Sequence, residues 1–302
     1  MMSWLIIVLI AYFLMSIVAL FDRYFLVGPI ANPKTYTFYI GILGLIFCLF
    51  FILLGITFPL SNVVFLGLAA GGIRIIANLF LTTSITKSEI SRVAPAVGAM
   101  QPIFSFLLFF LFLPQSRILD ISQLAAFILL VFGSVLISTK KFDREFFNFE
   151  NLKYPITASF LYSLTFFLTK NLFLKTNFLS GMFLILLGSG LAALGFLIFP
   201  QNREIILNQK MSGRISGLLL LGQTIGGLSL ILQYYAVFLA KPGQVPLINA
   251  LEGTRYVFLL FFVFLLGKWK PQLLKEETSR EVLFPKILAI LLIGGGLALL
   301  AL

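Results

Sequence analysis

The chain has 302 residues, of which 60% are hydrophobic and 11% charged, with a formal net charge of +11 and no histidine. With a mean hydropathy of +1.07, that balance excludes a water-soluble domain and describes an all-α protein whose solvent is lipid. Having one cysteine, Cys48, no Gly-rich Lys-Ser/Thr loop, and aspartates only at Asp22, Asp120 and Asp143, it lacks the ligands for a metal centre, a cofactor or a catalytic triad, and no enzymatic activity is expected.

A spanning helix needs roughly 20 apolar residues, and the sequence predicts ten. The first, Trp4–Leu26, lacks the basic leader and small-residue cleavage pattern of a signal peptide, so it is read as a retained span. Asp22 and Arg23 fall near its end, where a long basic side chain can snorkel to headgroups. The second span, Tyr36–Phe58, holds Cys48. The third, Asn62–Thr83, carries Arg74 near its middle, with Asn78 and Thr82 following at intervals of four. The fourth, Val93–Leu113, contributes Gln101 and Ser105, and the fifth, Ile118–Ile137, is almost free of polar residues. After the longest loop, Ser138–Lys153, the sixth span Tyr154–Leu174 carries Tyr162, Thr165, Thr169 and Lys170. The seventh, Leu179–Phe199, is apolar. The eighth, Ile215–Leu239, places Gln223 and Tyr234 on one face. The ninth, Val245–Leu266, holds Glu252 and Arg255, three apart and able to meet. The tenth is Phe284–Leu302, with Gly294-Gly295-Gly296 at its centre.

The chain repeats itself. Slid back by 151 positions, Gly222, Leu232, Pro246, Ala250 and Phe261 fall on Gly71, Leu81, Pro95, Ala99 and Phe110. A slide of 147 sets Ala158, Phe160, Leu161 and Ser163 on Ala11, Phe13, Leu14 and Ser16, and Lys170 on Arg23. Five spans per copy leave the second copy inverted relative to the first, so the expected architecture is two inverted five-helix repeats, residues 1–139 and 140–302. That is how many carriers build two gates around one midplane site. Loops after odd-numbered spans hold sixteen Lys and Arg residues and the opposite side four, with Arg74 and Arg255 inside spans. The positive charge therefore marks cytoplasmic loops rather than a nucleic-acid partner, and it places both termini outside the cytoplasm.

The passages "SITKSEISRVAPAVGAMQPIFSFLLFFLF" at Ser84–Phe112 and "AVFLAKPGQVPLINALEGTRYVFLLFFVFLLG" at Ala236–Gly267 each lead through a polar turn, small residues and a proline into an apolar helix. In this, and in its two five-span copies, the chain resembles the EamA-like family of the drug/metabolite transporter superfamily. Two features depart from that pattern. The fourth and ninth spans end in Leu113-Pro114-Gln115 and Leu266-Gly267-Lys268 where the family commonly has Gly-Glu, and the family's described orientation has cytoplasmic termini, the reverse of the charge count. The resemblance implies a permease of the cell (inner) membrane, exporting amino acids, related metabolites or drugs.

A charged side chain at the bilayer centre costs about 3 kcal/mol on insertion scales, so it calls for a partner or a wet cavity. The candidate cavity residues are Arg74, Asn78, Gln101, Gln223, Tyr234, Glu252 and Arg255. Glu252, the only acid read at the midplane, is the candidate for proton or cation coupling. Arg23 and Lys170, in matching places, are gate candidates. Plainer alternatives stand beside each: a self-neutralising Glu252–Arg255 pair, interhelical hydrogen bonds for the amides and hydroxyls, and snorkelling for Arg23 and Lys170. Gly67 with Gly71 and Gly222 with Gly226 are small-xxx-small pairs that let helices approach closely. The function expected is alternating-access transport of a small metabolite (amino acid, organic acid or drug-like compound) in exchange for a proton or down its own gradient, by a monomer or homodimer. Two arginines against one glutamate lean toward a carboxylate or phosphate. A lipid-linked-intermediate flippase and a non-transporting membrane subunit are the alternatives: the first requires a cavity open sideways to lipid, the second buried charges without a cavity.

Overall fold

Short polar signals start and stop the helices. Asn32 accepts from the backbone N–H of Lys34 at 2.9 Å and of Thr35 at 3.3 Å, with Pro33 at the first helical position. Asn177 and Ser212 cap in the same way through Ser180 and Ile215. Asp120 accepts from Gln123 N–H and Ser122 Oγ, both at 2.8 Å, and those bonds hold its exposed carboxyl below the usual carboxylate range. At the other end, Gly55 adopts a positive φ of 81°, which turns the chain out of the second helix before Phe58.

The structure, a computed structural model, describes residues 3–57, 59–87, 90–113, 119–138, 149–269 and 280–301, with side chains described for these except 90–92, 94–96, 137–138, 149–151, 263–269 and 280–283. Its helices are α1 (Ser3–Val27), α2 (Pro33–Leu53), α3 (Ser61–Lys87), α4 (Ile90–Phe112), α5 (Ile121–Ser138), α6 (Phe149–Phe173), α7 (Phe178–Gly195), α8 (Pro200–Leu207), α9 (Gly213–Leu239), α10 (Val245–Ala250), α11 (Glu252–Trp269) and α12 (Arg280–Ala301). No strand occurs among the described residues. Seven helical segments are long and apolar enough to cross a membrane, and Val97–Phe112 and Ile121–Leu136 are shorter apolar helices. The chain is a multi-pass helical membrane protein. The expected boundary between copies at residues 139 and 140 lies outside the described residues, as do Pro114 and Gln115.

The helices depart from the predicted spans at four places, each with a local cause. α3 runs on to Lys87, because the hydroxyls of Thr82, Thr83 and Thr86 fold back onto carbonyls of their own helix and keep a polar stretch helical. The seventh span stops at Gly195, passes through a 3₁₀ turn and an extended Phe199, and restarts at Pro200 as the unforeseen helix α8. Most of α6 is helical as expected, but its polar stripe lowers its hydropathy, and it is not among the seven apolar segments. The ninth span is interrupted at Leu251, so that Glu252 opens a new helix.

Packing follows the glycines. A Cβ on Gly71 would fall inside the backbone of α7 at Ile185, and one on Gly67 would meet Leu184, so α3 and α7 touch backbone to backbone. Gly222 lies under Phe21 of α1. Gly133 and Gly296 join α5 to α12, through Ile293 and Leu130 respectively. The main helix pairs are α1 with α9, α3 with α6 and α7, α2 with α7, α4 with α6, and α5 with α12.

Hydrogen bonds between loops sort the helix ends onto two faces. Lys34 Nζ donates to Asn202 Oδ1 at 2.7 Å, Gln209 Nε2 to the Pro29 carbonyl at 3.0 Å, and Lys87 Nζ to Tyr154 Oη at 2.8 Å. The end of α1, the start of α2, the end of α3 and the start of α6 therefore share one face with α8. On the other, Thr57 meets Ser180 and Asn177, joining the end of α2 to the start of α7.

Candidate functional site

Between the helices lies a cavity of about 210 Å³. Its wall is mostly apolar, from Met15 and Val18 of α1, Leu43 and Phe47 of α2, Phe166 of α6 and Leu186 of α7. The charged and polar groups on it are Asp22, Arg74, Asn78, Gln101, Tyr162, Gln223, Gln233, Tyr234, Glu252, Arg255 and Tyr256. All seven cavity candidates read from the sequence border this one space. α5 and α12 contribute nothing to the lining, and α1, α2, α6 and α7 join α3, α4, α9 and α11 around it.

Arg74 projects from the middle of α3, and its Nε donates to Ser189 Oγ of α7 at 3.2 Å. Among the described residues no carboxylate pairs with it. One turn on, Asn78 Oδ1 accepts from Tyr162 Oη at 3.1 Å, tying α3 to α6. Thr82, the next member of that face, is buried against Thr37 of α2 and stays out of the cavity. On α6, Tyr162 borders the cavity, while Thr165 and Thr169 are buried.

The opposite wall is built on the interrupted helix. Leu251 keeps right-handed helical dihedrals and its N–H still donates to the Leu247 carbonyl at 2.9 Å, but Thr254 turns both its backbone N–H, at 2.9 Å, and its Oγ1, at 2.7 Å, onto the Leu251 carbonyl, so the helix tightens locally between α10 and α11. The first turn of α11 then presents Glu252 to the cavity. Arg255 Nη1 donates to Glu252 Oε1 at 3.3 Å, with side-chain exposures of 18% for the arginine and 9% for the glutamate. The pair does not exhaust the guanidinium: Arg255 Nε is buried without a hydrogen-bond partner. Gln101, on which Glu252 falls when the second half is slid back by 151 positions, donates instead to Asn249 Oδ1 at 3.3 Å, and Asn249 Nδ2 donates to Ser105 Oγ at 2.8 Å. Ser163 of α6 donates to the Gln101 carbonyl at 2.7 Å. The two repeat positions thus differ in role. One is a charged helix start, the other part of an amide network joining α4 to α10.

The sequence missed one acid. Asp22 does not behave as a snorkelling end residue: it borders the cavity and accepts a short hydrogen bond from Tyr36 Oη, while Gln223 Nε2 donates to the same hydroxyl at 3.3 Å. The signal that could have found it is its place on one α1 face with Met15, Val18 and Ala19, at helical spacings of three and four. With Asp22 counted, two carboxylates and two guanidinium groups line the cavity, and the excess of positive charge read from the sequence disappears. Of the two gate candidates, Lys170 is buried at the end of α6 and away from the cavity, and Arg23 is exposed at the end of α1. Among the described residues no group of three or more metal-binding side chains is present.

The cavity is lopsided along the membrane normal. It reaches Ile85 in the last turn of α3 and Val93 in the first turn of α4. Toward the other end it stops near Gln233 and Tyr234, where Phe166 meets Tyr234 edge to face at 5.9 Å. Beyond them Phe173, Phe178, Tyr235 and Phe238 pack together with ring centroids 5.1–6.1 Å apart. The seam between α2 and α9 is covered by the Phe47 ring, which lies directly over Gly227.

No family model matches the chain, and no curated protein matches it. Among solved structures, one described only as a crystal structure of a protein superimposes over 99% of this chain and 98% of its own, with a TM-score of 0.70 at 18% sequence identity. That likeness establishes a shared fold and carries no activity with it.

Proposed function

We propose that the chain is a secondary transporter of the EamA-like kind within the drug/metabolite transporter superfamily, moving a small polar metabolite by alternating access. The observation that carries this reading is the cavity itself, where Arg74, Arg255, Glu252 and Asp22 face one space deep among apolar helices. Charges at that depth are costly, and a water-filled binding site is the setting in which they are tolerated and useful.

On this reading the membrane is crossed ten times, α10 with α11 making one crossing and α8 lying apart, and the chain consists of two inverted copies. The packing supports such a relation. Exchanging the copies maps the α1–α9 pair onto α6–α3 and the α1–α11 pair onto α6–α4, while α2–α7 and α5–α12 map onto themselves. Two acids and two guanidinium groups around one space suit a dipolar molecule, such as an amino acid, better than a multiply charged anion. Basic residues cluster on the face where α3 meets α4 (Arg23, Lys34, Lys87, Lys153, Arg203, Lys210 and Arg214), so that face is assigned to the cytoplasm and the termini to the outside. A flippase for lipid-linked intermediates fits less well, because Phe47 over Gly227 closes the sideways path that a lipid tail needs. A non-transporting subunit fits less well too, because its charges would end in protein contacts.

The test is uptake into proteoliposomes of amino acids, organic acids and organic cations, with and without a pH gradient. Uptake that Arg255→Ala abolishes and Glu252→Gln frees from the pH gradient supports the reading; wild-type behaviour in both variants refutes the site. A reporter at the C-terminus that reads out in the cytoplasm would refute the orientation.

A further inference from the structure

One buried cation takes no part in the cavity. Lys170, in the last turn of α6, is 3% exposed, and its Nζ donates to the carbonyls of Val237 and Phe238 at 3.1 Å each and of Ala240 at 2.5 Å. Those carbonyls belong to the C-terminus of α9, where intrahelical donors run out and the helix dipole is negative. An ammonium has three donors and no acceptor, so all three are spent on that helix end. Snorkelling does not describe this geometry, because the charge points into protein. The contact ties α6 to α9 at the end of the molecule where the Phe173–Phe178–Phe238 cluster packs, beyond the cavity wall at Met182 and Tyr234.

The matching place in the first half is built alike and stands undone. Lys170 falls on Arg23 when the second half is slid back by 147 positions, and Val237 and Phe238 fall on Thr86 and Lys87, the last turn of α3, at a slide of 151. The helix pairs correspond, α6 on α3 and α1 on α9. Yet Arg23 is exposed and makes no hydrogen bond or ion pair among the described residues, and the cavity runs out to Ile85 at just that end. One lock is closed where the molecule is sealed. Its counterpart is unmade at the end where the cavity extends to Ile85, beneath the Phe21–Phe25–Tyr36 rings.

We propose that Lys170 and Arg23 are reciprocal locks, each made by capping the C-terminus of a helix in the other α1/α6 partnership, and that only one is closed at a time. Lys170 on the α9 terminus holds the arrangement described above. When the α3–α4 end shuts, Arg23 takes the Thr86 and Lys87 carbonyls, and Lys170 releases α9 as the aromatic cluster parts. Arginine suits the first-half lock because it keeps its charge while moving between water and protein. The inference rests on the alternating-access reading, to which it adds the groups that stabilise each state.

Single cysteines in a Cys48→Ala background of the full chain, held in lipid nanodiscs, test this with a membrane-impermeant maleimide. Leu81→Cys reports on the cavity near its open end, and Thr169→Cys on the sealed end beside Lys170. Lys170→Gln should raise labelling at 169 about tenfold, which is roughly 1.4 kcal/mol of population shift, and lower it at 81. Arg23→Gln should move both reporters the other way, and Lys170→Arg should stay close to the parent. Unfolding raises both reporters together and so cannot imitate opposite shifts. Unchanged rates in Lys170→Gln, or shifts of the same sign in the two Gln variants, overturn the proposal. Uptake is measured on the same proteins. Opposite labelling shifts in a protein that moves no substrate would leave the locks standing and remove the carrier reading, whereas uptake without labelling shifts would do the reverse.

Discussion

Arg74→Met separates a substrate-binding arginine from a structural one. Among the described residues the side chain makes one hydrogen bond, at 3.2 Å to Ser189 Oγ. Ser189 keeps its own bonds to the carbonyls of Ile185 at 2.8 Å and Gly71 at 3.1 Å, so losing the guanidinium strands no donor. Met retains the apolar length against the wall, and the folding cost should be about 1 kcal/mol or less, one ordinary hydrogen bond. A bound anionic group would instead lose a charged hydrogen bond, about 1.5–3 kcal/mol, which at 1.36 kcal/mol per decade is roughly ten- to 150-fold in affinity. Arg74→Lys should recover part of it, since it restores the charge but not the planar fork. The assay pairs KM for uptake with the thermal midpoint in detergent. A wild-type KM, or a midpoint lowered by many degrees, would refute the assignment and make Arg74 a packing residue.

Glu252→Gln should remove any dependence of uptake on a pH gradient while leaving exchange of substrate across the membrane measurable; coupling that survives the change excludes Glu252 as the proton carrier. Asp22→Asn should shift preference from dipolar molecules toward anions in competition uptake, because it leaves two guanidinium groups facing one carboxylate; an unchanged ranking of substrates refutes a role for Asp22 in the site. Gly71→Ala forces a Cβ into the α7 backbone, an overpacking of at least the usual 1–3 kcal/mol, and should lower the thermal midpoint clearly. Gly217→Ala, with open space around it, serves as the control and should leave the midpoint within error.

Much of the fold is legible because lipid imposes long apolar helices, and hydropathy finds them with little ambiguity. The ends were harder, since they depend on single groups. Gly55 cuts α2 short by its positive φ, and back-bonded threonines carry α3 past a polar stretch that reads as loop. The break at Leu251 left no composition signal; Pro246 and Gly253 bracket it, but its repeat counterpart in α4 passes unbroken through Gln101. Among the site residues, those near span centres stood out by charge alone. Asp22 did not, because a carboxylate near a helix end reads as surface until Tyr36 from the next helix is seen to donate to it.

On the proposed reading as an inverted-repeat carrier, the differences between the two halves say more about mechanism than their likeness does. A duplicated carrier with identical halves would balance its two states, and nothing would bias it toward either. Here the α3–α7 seam is closed backbone to backbone over Gly71 and Gly67, with Ser189 of α7 holding both the Gly71 carbonyl and Arg74. The matching α2–α9 seam rests on the movable ring of Phe47. Opening α3 from α7 breaks close backbone packing and the Ser189 hydrogen bonds to the Gly71 carbonyl and Arg74, whereas parting α2 from α9 costs the Phe47 contact over Gly227 and the Gln223–Tyr36 hydrogen bond. On the proposed alternating-access reading, the weaker seam is therefore the one expected to part. Replacing Phe47 with Ala in the Thr169→Cys reporter protein should raise the rate of interconversion, seen as faster labelling at position 169, while Gly71→Ala in the same background should not. Equal effects from both would show that the two seams move together and that the asymmetry belongs to packing alone.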